Sequence, residues 1–293
     1  MRVFVTGASG WVGSAVVPEL IGAGHQVLGL ARSDASAAAV AAAGAEVLRG
    51  DLADADALGR GAADCDGVIH LAFIHDFSRF TDSVGVDARA IETLGTALEG
   101  SGKPFLVTSG TPVAAHGGVA TERDWSAPGP SAPGREANAR AALALVDRGV
   151  RASVVRLPRT VHGEGDPGFI TLLVGTARDK GVAGYVGDGS NRWPAVHVHD
   201  TARLFRLALE QAAAGSVLHA VADEGVPVRD IAAEIGRRLD LPTASAPPED
   251  FGFLGPMLAV DQPASSALTR ELLGWRPDGP GLIEDLAAGR YTG

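Results

Sequence analysis

Apolar positions along this chain follow two rhythms that take turns. Over 2–6 the β-prone run Val3, Phe4, Val5 is continuous, as in a strand covered on both faces, and over 11–21 apolar residues recur at helical spacing. The exchange repeats, predicting strands over 26–30, 46–48, 66–71, 104–108 and 151–156 and helices over 35–43, 82–99 and 136–148. Strands separated by helices imply parallel pairing, because parallel neighbours cannot be joined by a tight hairpin. The pattern therefore predicts an α/β fold, a doubly wound parallel sheet with helices on both faces. Beyond Pro158 the rhythm loosens into the turn-rich segments HGEGDPG, GDGSNRWP and SAPPEDFGFLGP, between helices predicted over 169–180, 201–213 and 228–239. That change predicts a smaller C-terminal subdomain of 161–189 with 226–293, set against a main unit of 1–160 with 190–225. The Gly-, Pro- and Ser-rich stretch 117–134 reads as a long loop, and such loops in compact domains often carry function.

Composition narrows what such a fold can serve. Hydrophobic residues make up 46% and charged residues 20% of the 293, the balance of an ordinary globular chain. The formal net charge of −10 repels polyanions, which bind through Lys and Arg, so nucleic acid is not an expected partner. The lone Cys65 cannot form an internal disulfide, and no CxxC or Cys/His cluster offers a metal site, which fits a reducing, cytoplasmic setting. The start MRVFVTGASGWVG lacks the charged and apolar regions of a targeting signal, and no stretch approaches the ~18 apolar residues of a membrane span. A small-molecule substrate is the expected partner, with no membrane association, for a monomer or homodimer.

The chemistry begins at TGASGWVG, between the first strand and the first helix. Gly7 permits a tight turn, Gly10 lets the backbone approach a pyrophosphate and Gly13 lets the helix pack closely. Unpaired N–H groups at the helix start, over Ser9, Trp11 and Val12, suit anionic oxygens. This strand, turn and helix together read as a Rossmann-type dinucleotide site. After the second strand, LARSD places Arg32 and Ser33 where an NAD site would carry Asp or Glu. A guanidinium and a hydroxyl suit a 2′-phosphate, so NADP(H) is expected; in the alternative Arg32 is a solvated charge and Asp34 meets the ribose. Asp51 and Leu52 fit the adenine edge, unless Asp51 only caps the next helix. Leu71, Ala72 and Phe73 fit the path of the ribose and nicotinamide, and His70 before them reads as structural.

Taken together, TGASGWVG, ARS, GDL, HLAF, TSG, VVRLPRTVHG and GDGSNRWPAVHVHD resemble an extended short-chain dehydrogenase/reductase of the NAD-dependent epimerase/dehydratase superfamily, over nearly the whole chain. The resemblance implies a Ser or Thr after the fifth strand and a Tyr-x-x-x-Lys pair in the next helix. There the Tyr handles the hydroxyl proton while the Lys lowers its pKa and holds the nicotinamide ribose. It also implies that Leu157 and Pro158 border the nicotinamide. The chain departs from this pattern, because neither Tyr185 nor Tyr291, its only tyrosines, has Lys four residues on.

Counted back from VVRLP, Arg135 takes the Tyr position and Ala139 the Lys position. An Arg stays protonated and cannot donate as Tyr does, but it can stabilise an oxyanion. Ser109 and Thr111 in TSGTP are candidate donors to a substrate oxygen, or else stabilise the turn. His162, where relatives carry Tyr, is the expected replacement acid, the alternative being a loop hydrogen-bonder. Phe73, His116, Tyr185 and Trp193 are expected to line the substrate. His197 and His199 would share one face of a strand, but with no third ligand no metal is expected. These readings predict an NADPH-dependent reductase passing hydride to a carbonyl, or an activated C=C or C=N bond, of a small or mid-sized organic substrate. A non-catalytic NADP(H) sensor, or an epimerase, dehydratase or isomerase that recycles NADP, are the alternatives.

Overall fold

The computed structural model describes residues 1–114, 118–126 and 134–291. Its first half runs β1 (Arg2–Thr6), α1 (Trp11–Gly22), β2 (Gln26–Ala31), α2 (Asp34–Ala42), β3 (Glu46–Arg49), α3 (Ala55–Ala63), β4 (Gly67–His70), α4 (Phe80–Ala97), β5 (Pro104–Gly110) and α5 (Gly134–Ala144). The second half continues with β6 (Arg151–Leu157), β7 (Thr160–His162), α6 (Phe169–Lys180), β8 (Ala183–Tyr185), β9 (Arg192–His197), α7 (Val198–Gln211) and β10 (Val217–His219). It ends with β11 (Asp223–Pro227), α8 (Val228–Leu239), β12 (Thr243–Ser245), α9 (Gly255–Leu258), α10 (Ala267–Leu273) and α11 (Leu282–Ala287).

Seven parallel strands form one sheet in the order β10-β6-β5-β4-β1-β2-β3, the doubly wound α/β fold that the alternation predicts. From β1 the chain moves outward through β2 and β3, then returns and moves the other way through β4, β5 and β6. The connections leaving the carboxyl ends of β1 and β4 thus diverge and open a crevice there. The apolar runs are explained by two covered faces. Val3, Val5, Ile69 and Leu106 pack into one layer with Val16 and Leu20 of α1 and Phe205 and Leu209 of α7. Their alternates Phe4, Val68, Phe105 and Val107 pack on the other face with Leu58, Leu94 and Leu145.

Past β6 a three-stranded sheet, β11-β9-β7, and a two-stranded sheet, β12-β8, share a separate apolar core that includes Ile170, Trp193, Ile231 and Leu286. Of the segment 190–225, β9 thus lies in the smaller sheet while α7 and β10 belong to the main layer. Three local readings change. His197 ends β9 and caps α7, so His199 stands in the first helical turn rather than on the same strand face. The helix predicted over 136–148 stops at Ala144 and tightens into a 3-10 turn over Leu145–Arg148 before Gly149 at φ 75°. Helix α3 was not predicted, because Leu58 is its only large apolar residue; it packs through small residues, with the Phe4 ring seated against Gly61. Among the described residues no helix is long and apolar enough to cross a membrane.

Candidate active site

The turn after β1 is built around missing side chains. Gly7 has φ 70°, and a Cβ there would come within 2.7 Å of the Ala72 nitrogen. A Cβ on Gly13 would meet the Gly7 carbonyl oxygen at 2.1 Å, so α1 can start this close to the turn only with glycine at that position. Gly10 caps α1 without a side-chain bond, and the first turn holds no acidic residue, leaving its N–H groups open to an anion such as a pyrophosphate. The Trp11 indole Nε1 donates to the Val161 carbonyl at 2.8 Å and ties this turn to β7. Val12 packs on the α1 layer, and Ser9 is exposed.

At the adenosine end Ser33 caps α2, its hydroxyl accepting from the Ser36 N–H in a reciprocal capping box. Arg49 donates to the Ser33 carbonyl and pairs with the exposed Asp34 carboxylate at 2.7 Å. Arg32 is exposed beside them. Asp51 accepts from the Ala53 N–H at 2.7 Å, and the cap of α3 is Asp54 rather than Asp51. Leu52 packs against the α3 layer.

Beneath the crevice lies a buried polar chain that the sequence did not reveal. The Thr6 hydroxyl accepts from the Ala72 N–H and lies 2.8 Å from His70 Nδ1; His70 Nε2 lies 3.1 Å from Asp87, which accepts from Asn138 at 2.7 Å. These bonds are all satisfied with the His70 proton on Nε2. Burial opposes the Asp87 charge, yet the bonds from His70 and Asn138 hold its carboxyl below the usual range. The chain fixes the glycine turn to α4 and α5. Asn138 lies three residues after Arg135 on one helix, and this spacing was its only sequence signal.

Arg135 stands at the start of α5, half-buried, with Nη2 donating to the Thr108 carbonyl at 2.9 Å and its guanidinium 4.2 Å from the Phe73 ring centroid. Among the described residues its buried Nε has no partner and it makes no ion pair. Burial lowers its pKa, partly offset by Asp87. His75, in ring contact with Phe73, is likewise lowered by burial and then by the Arg135 cation. Ser109 and Thr111 flank the end of β5, both buried, and the hydroxyls of Thr108 and Thr111 have no partner among the described residues. The Thr111 N–H donates to the Leu157 carbonyl at 2.9 Å, which brings Leu157 and Pro158 beside this group.

His162 is held apart from it. Fully buried, its Nδ1 lies 2.8 Å from Asp285, which also accepts from Arg290, in a latch joining β7 to the C-terminal helix. Tyr291 donates to Asp166 in the same latch, and burial pushes its phenol far above the usual value. Tyr185 belongs to β8 and packs against Gly189 in the smaller unit. Trp193 is fully buried, its ring tilted against that of Phe169 with centroids 6.2 Å apart and beneath Arg159. His116 lies outside the described residues.

Residues 3–221 match the NAD dependent epimerase/dehydratase family. The chain belongs to this family. It is 48% identical to an uncharacterized protein of Schizosaccharomyces pombe, over 99% of this chain and 100% of that one. It is 31% identical to the 4-hydroxy-2-methyl-3-oxo-4-farnesyl-3,4-dihydroquinoline-1-oxide ketoreductase of Stigmatella aurantiaca, over 78% of this chain and 70% of the relative. In fold it matches the dTDP-glucose 4,6-dehydratase of Streptomyces venezuelae, solved with NAD bound, with a TM-score of 0.79 at 22% identity and coverage of 99% and 96%. As a member of the epimerase/dehydratase family the protein is an NAD(P)-dependent enzyme of the short-chain dehydrogenase/reductase type.

Proposed function

We propose that this epimerase/dehydratase family member is an NADPH-dependent reductase of a small organic carbonyl compound, with Arg135 in the place of the proton-handling tyrosine. The observation that carries the reading is the setting of Arg135, a half-buried guanidinium with no carboxylate partner among the described residues, on Phe73 and at the carboxyl end of β5. A cation so placed stabilises the negative charge that develops on a carbonyl oxygen as hydride arrives at its carbon. The hydroxyls of Ser109 and Thr111 orient the same oxygen. Nicotinamide, when bound, would supply the hydride, and the alkoxide oxygen so formed would take its proton from solvent water, since Arg135 keeps its own. The open N–H groups of the α1 turn hold the pyrophosphate, and Arg32 takes the 2′-phosphate. The ketoreductase relative supports reduction of a carbonyl as the reaction class.

The test is NADPH consumption across aldehydes, ketones, enones and imines, run with wild type and Arg135→Met. A productive substrate should lose about 100- to 1,000-fold in kcat in the variant, the range for removing one oxyanion donor, while the NADPH Kd changes less than threefold. Tight NADPH binding with no consumption on any substrate class would overturn the reading in favour of an NADP(H) sensor, to which the missing Tyr-x-x-x-Lys pair also points.

A further inference from the structure

Among the described residues Arg159 is a second cation without a counter-ion. It follows Leu157 and Pro158 at the end of β6, its Nη2 donates to the Gln262 side-chain oxygen, and its Nε is buried with no partner. Its guanidinium lies 5.7 Å from the centroid of the Trp193 ring. Among the described residues no carboxylate lies within ion-pair distance of it, and residues 115–117, 127–133 and 292–293 contain no Asp or Glu. Burial alone lowers its pKa to about 10. A buried charge without a partner is costly unless something supplies the opposite charge.

The surroundings fix where that opposite charge belongs. Gln262 is pinned, because its Nε2 donates to the Thr111 carbonyl at 2.6 Å, so one amide holds Arg159 beside the residue proposed to orient the substrate oxygen. Trp193 and Phe169 make the neighbouring wall apolar. The nearby Arg192 adds no free charge, since Nε and Nη2 both donate to Asp261 at 3.0 and 2.8 Å. One unneutralised planar guanidinium against an aromatic wall matches a carboxylate, whose two oxygens fit its fork. A diphosphate would bring more charge than the site can compensate.

We propose that Arg159 anchors a substrate carboxylate, so that the protein acts on keto acids in preference to neutral ketones, an inference that rests on the reductase reading above. Keto acids and their methyl esters of equal chain length should be compared as substrates with NADPH. Binding of the corresponding hydroxy acids, and of uridine diphosphate, should be measured by calorimetry without turnover. Wild type should favour acid over ester by about ten- to a hundredfold in kcat/KM, mostly through KM, the scale of one charge-assisted pair. Arg159→Met should bring the ratio near unity and weaken hydroxy-acid binding at least tenfold, and Arg159→Lys should restore part of both. Equal use of acid and ester by wild type, or uridine diphosphate binding more tightly than any hydroxy acid, overturns the proposal. Hydroxy acids that bind wild type but not Arg159→Met, with no NADPH consumed by any substrate, would keep the carboxylate site and refute the reductase. Reduction of ketones and esters at a rate indifferent to Arg159 would do the reverse.

Discussion

Arg32 follows β2 with no hydrogen bond or ion pair to the described residues, while Asp34, two positions on, is occupied by Arg49. The Asp34 carboxylate is thus paired with Arg49 at the surface, and Arg32 adds a second guanidinium next to the Ser33 cap. A 2′-phosphate placed there gains at least one charge-assisted bond, of about 1.5–3 kcal/mol. Arg32→Ala should then move the NADPH-over-NADH preference about ten- to a hundredfold toward NADH, read as the ratio of the two Kd values. An unchanged ratio would leave Arg49 or the Ser33 region in charge. Arg32 stands out in the sequence because it sits in a short motif beside a strand end. Arg159 and Gln262 do not, since they meet across 103 positions, and no local pattern encodes that meeting. The link between Asp87 and Asn138 was hidden in the same way, across 51 positions. His162 shows the opposite failure: its place in a Gly-rich turn suggested an accessible acid, and only Asp285, 123 residues away, makes it a buried strut.

Elements were read more securely than residues, wherever one pattern governed the whole segment. Strands buried on both faces gave continuous apolar runs, and β1, β2 and β5 begin where the sequence placed them. Packing through small residues left no such pattern, which is why α3 was missed; α10 and α11 in the C-terminal third, seven and six residues long, are too short to repeat a helical period. The join of β1 to α1 is the most constrained of these elements, because Gly13 meets the backbone of Gly7 and Ala8 with no room for a methyl group. A clash with backbone cannot be relieved by turning a side chain. Gly13→Ala should therefore cost about 2–3 kcal/mol and lower Tm by roughly 5–10 °C, while weakening NADPH binding more than tenfold. A variant with normal Tm and normal cofactor affinity would show that the turn relaxes freely. Gly22→Ala, where a Cβ meets nothing within 4 Å, is the control expected to leave both unchanged.

At the scale of the molecule the edge strand β10 is fastened to the rest of the fold through one buried histidine. His219 Nδ1 lies 2.8 Å from the Ser265 carbonyl, to which it donates, and its Nε2 lies 3.2 Å from Arg156 Nη1, which needs an acceptor there. The bond from Arg156 requires neutral imidazole, because Nε2 can accept only without a proton, whereas the bond to Ser265 survives protonation. The groups facing it are Arg156, whose Nη1 also donates to the Asp124 carbonyl, with Glu122 and Asp124 nearby and the Thr269 hydroxyl accepting from its backbone N–H. Burial, opposed mainly by Glu122, lowers the His219 pKa from 6.5 to about 4. Above pH 6.5 the imidazole is neutral in both the folded and the unfolded chain, and stability is undiminished. As pH falls from there toward 4, the unfolded chain takes up a proton that the folded chain refuses, so stability declines with pH. The loss from this residue approaches about 2 kcal/mol at pH 5 and about 3 kcal/mol at pH 4. His197 is shifted in the same direction by burial and adds to the same limb, so the informative quantity is the difference between wild type and His219→Gln. Urea unfolding at pH 8 and pH 5 should show the variant less stable at pH 8, for want of the two ring bonds, yet losing about 2 kcal/mol less than wild type between the two values. Parallel losses in the two proteins would mean that His219 takes up its proton in the fold as readily as in the unfolded chain, with the attraction of Glu122 cancelling burial. A smaller loss in the variant would identify the contact of β10 with β6 and the C-terminal segment as the part of the molecule that acid opens first.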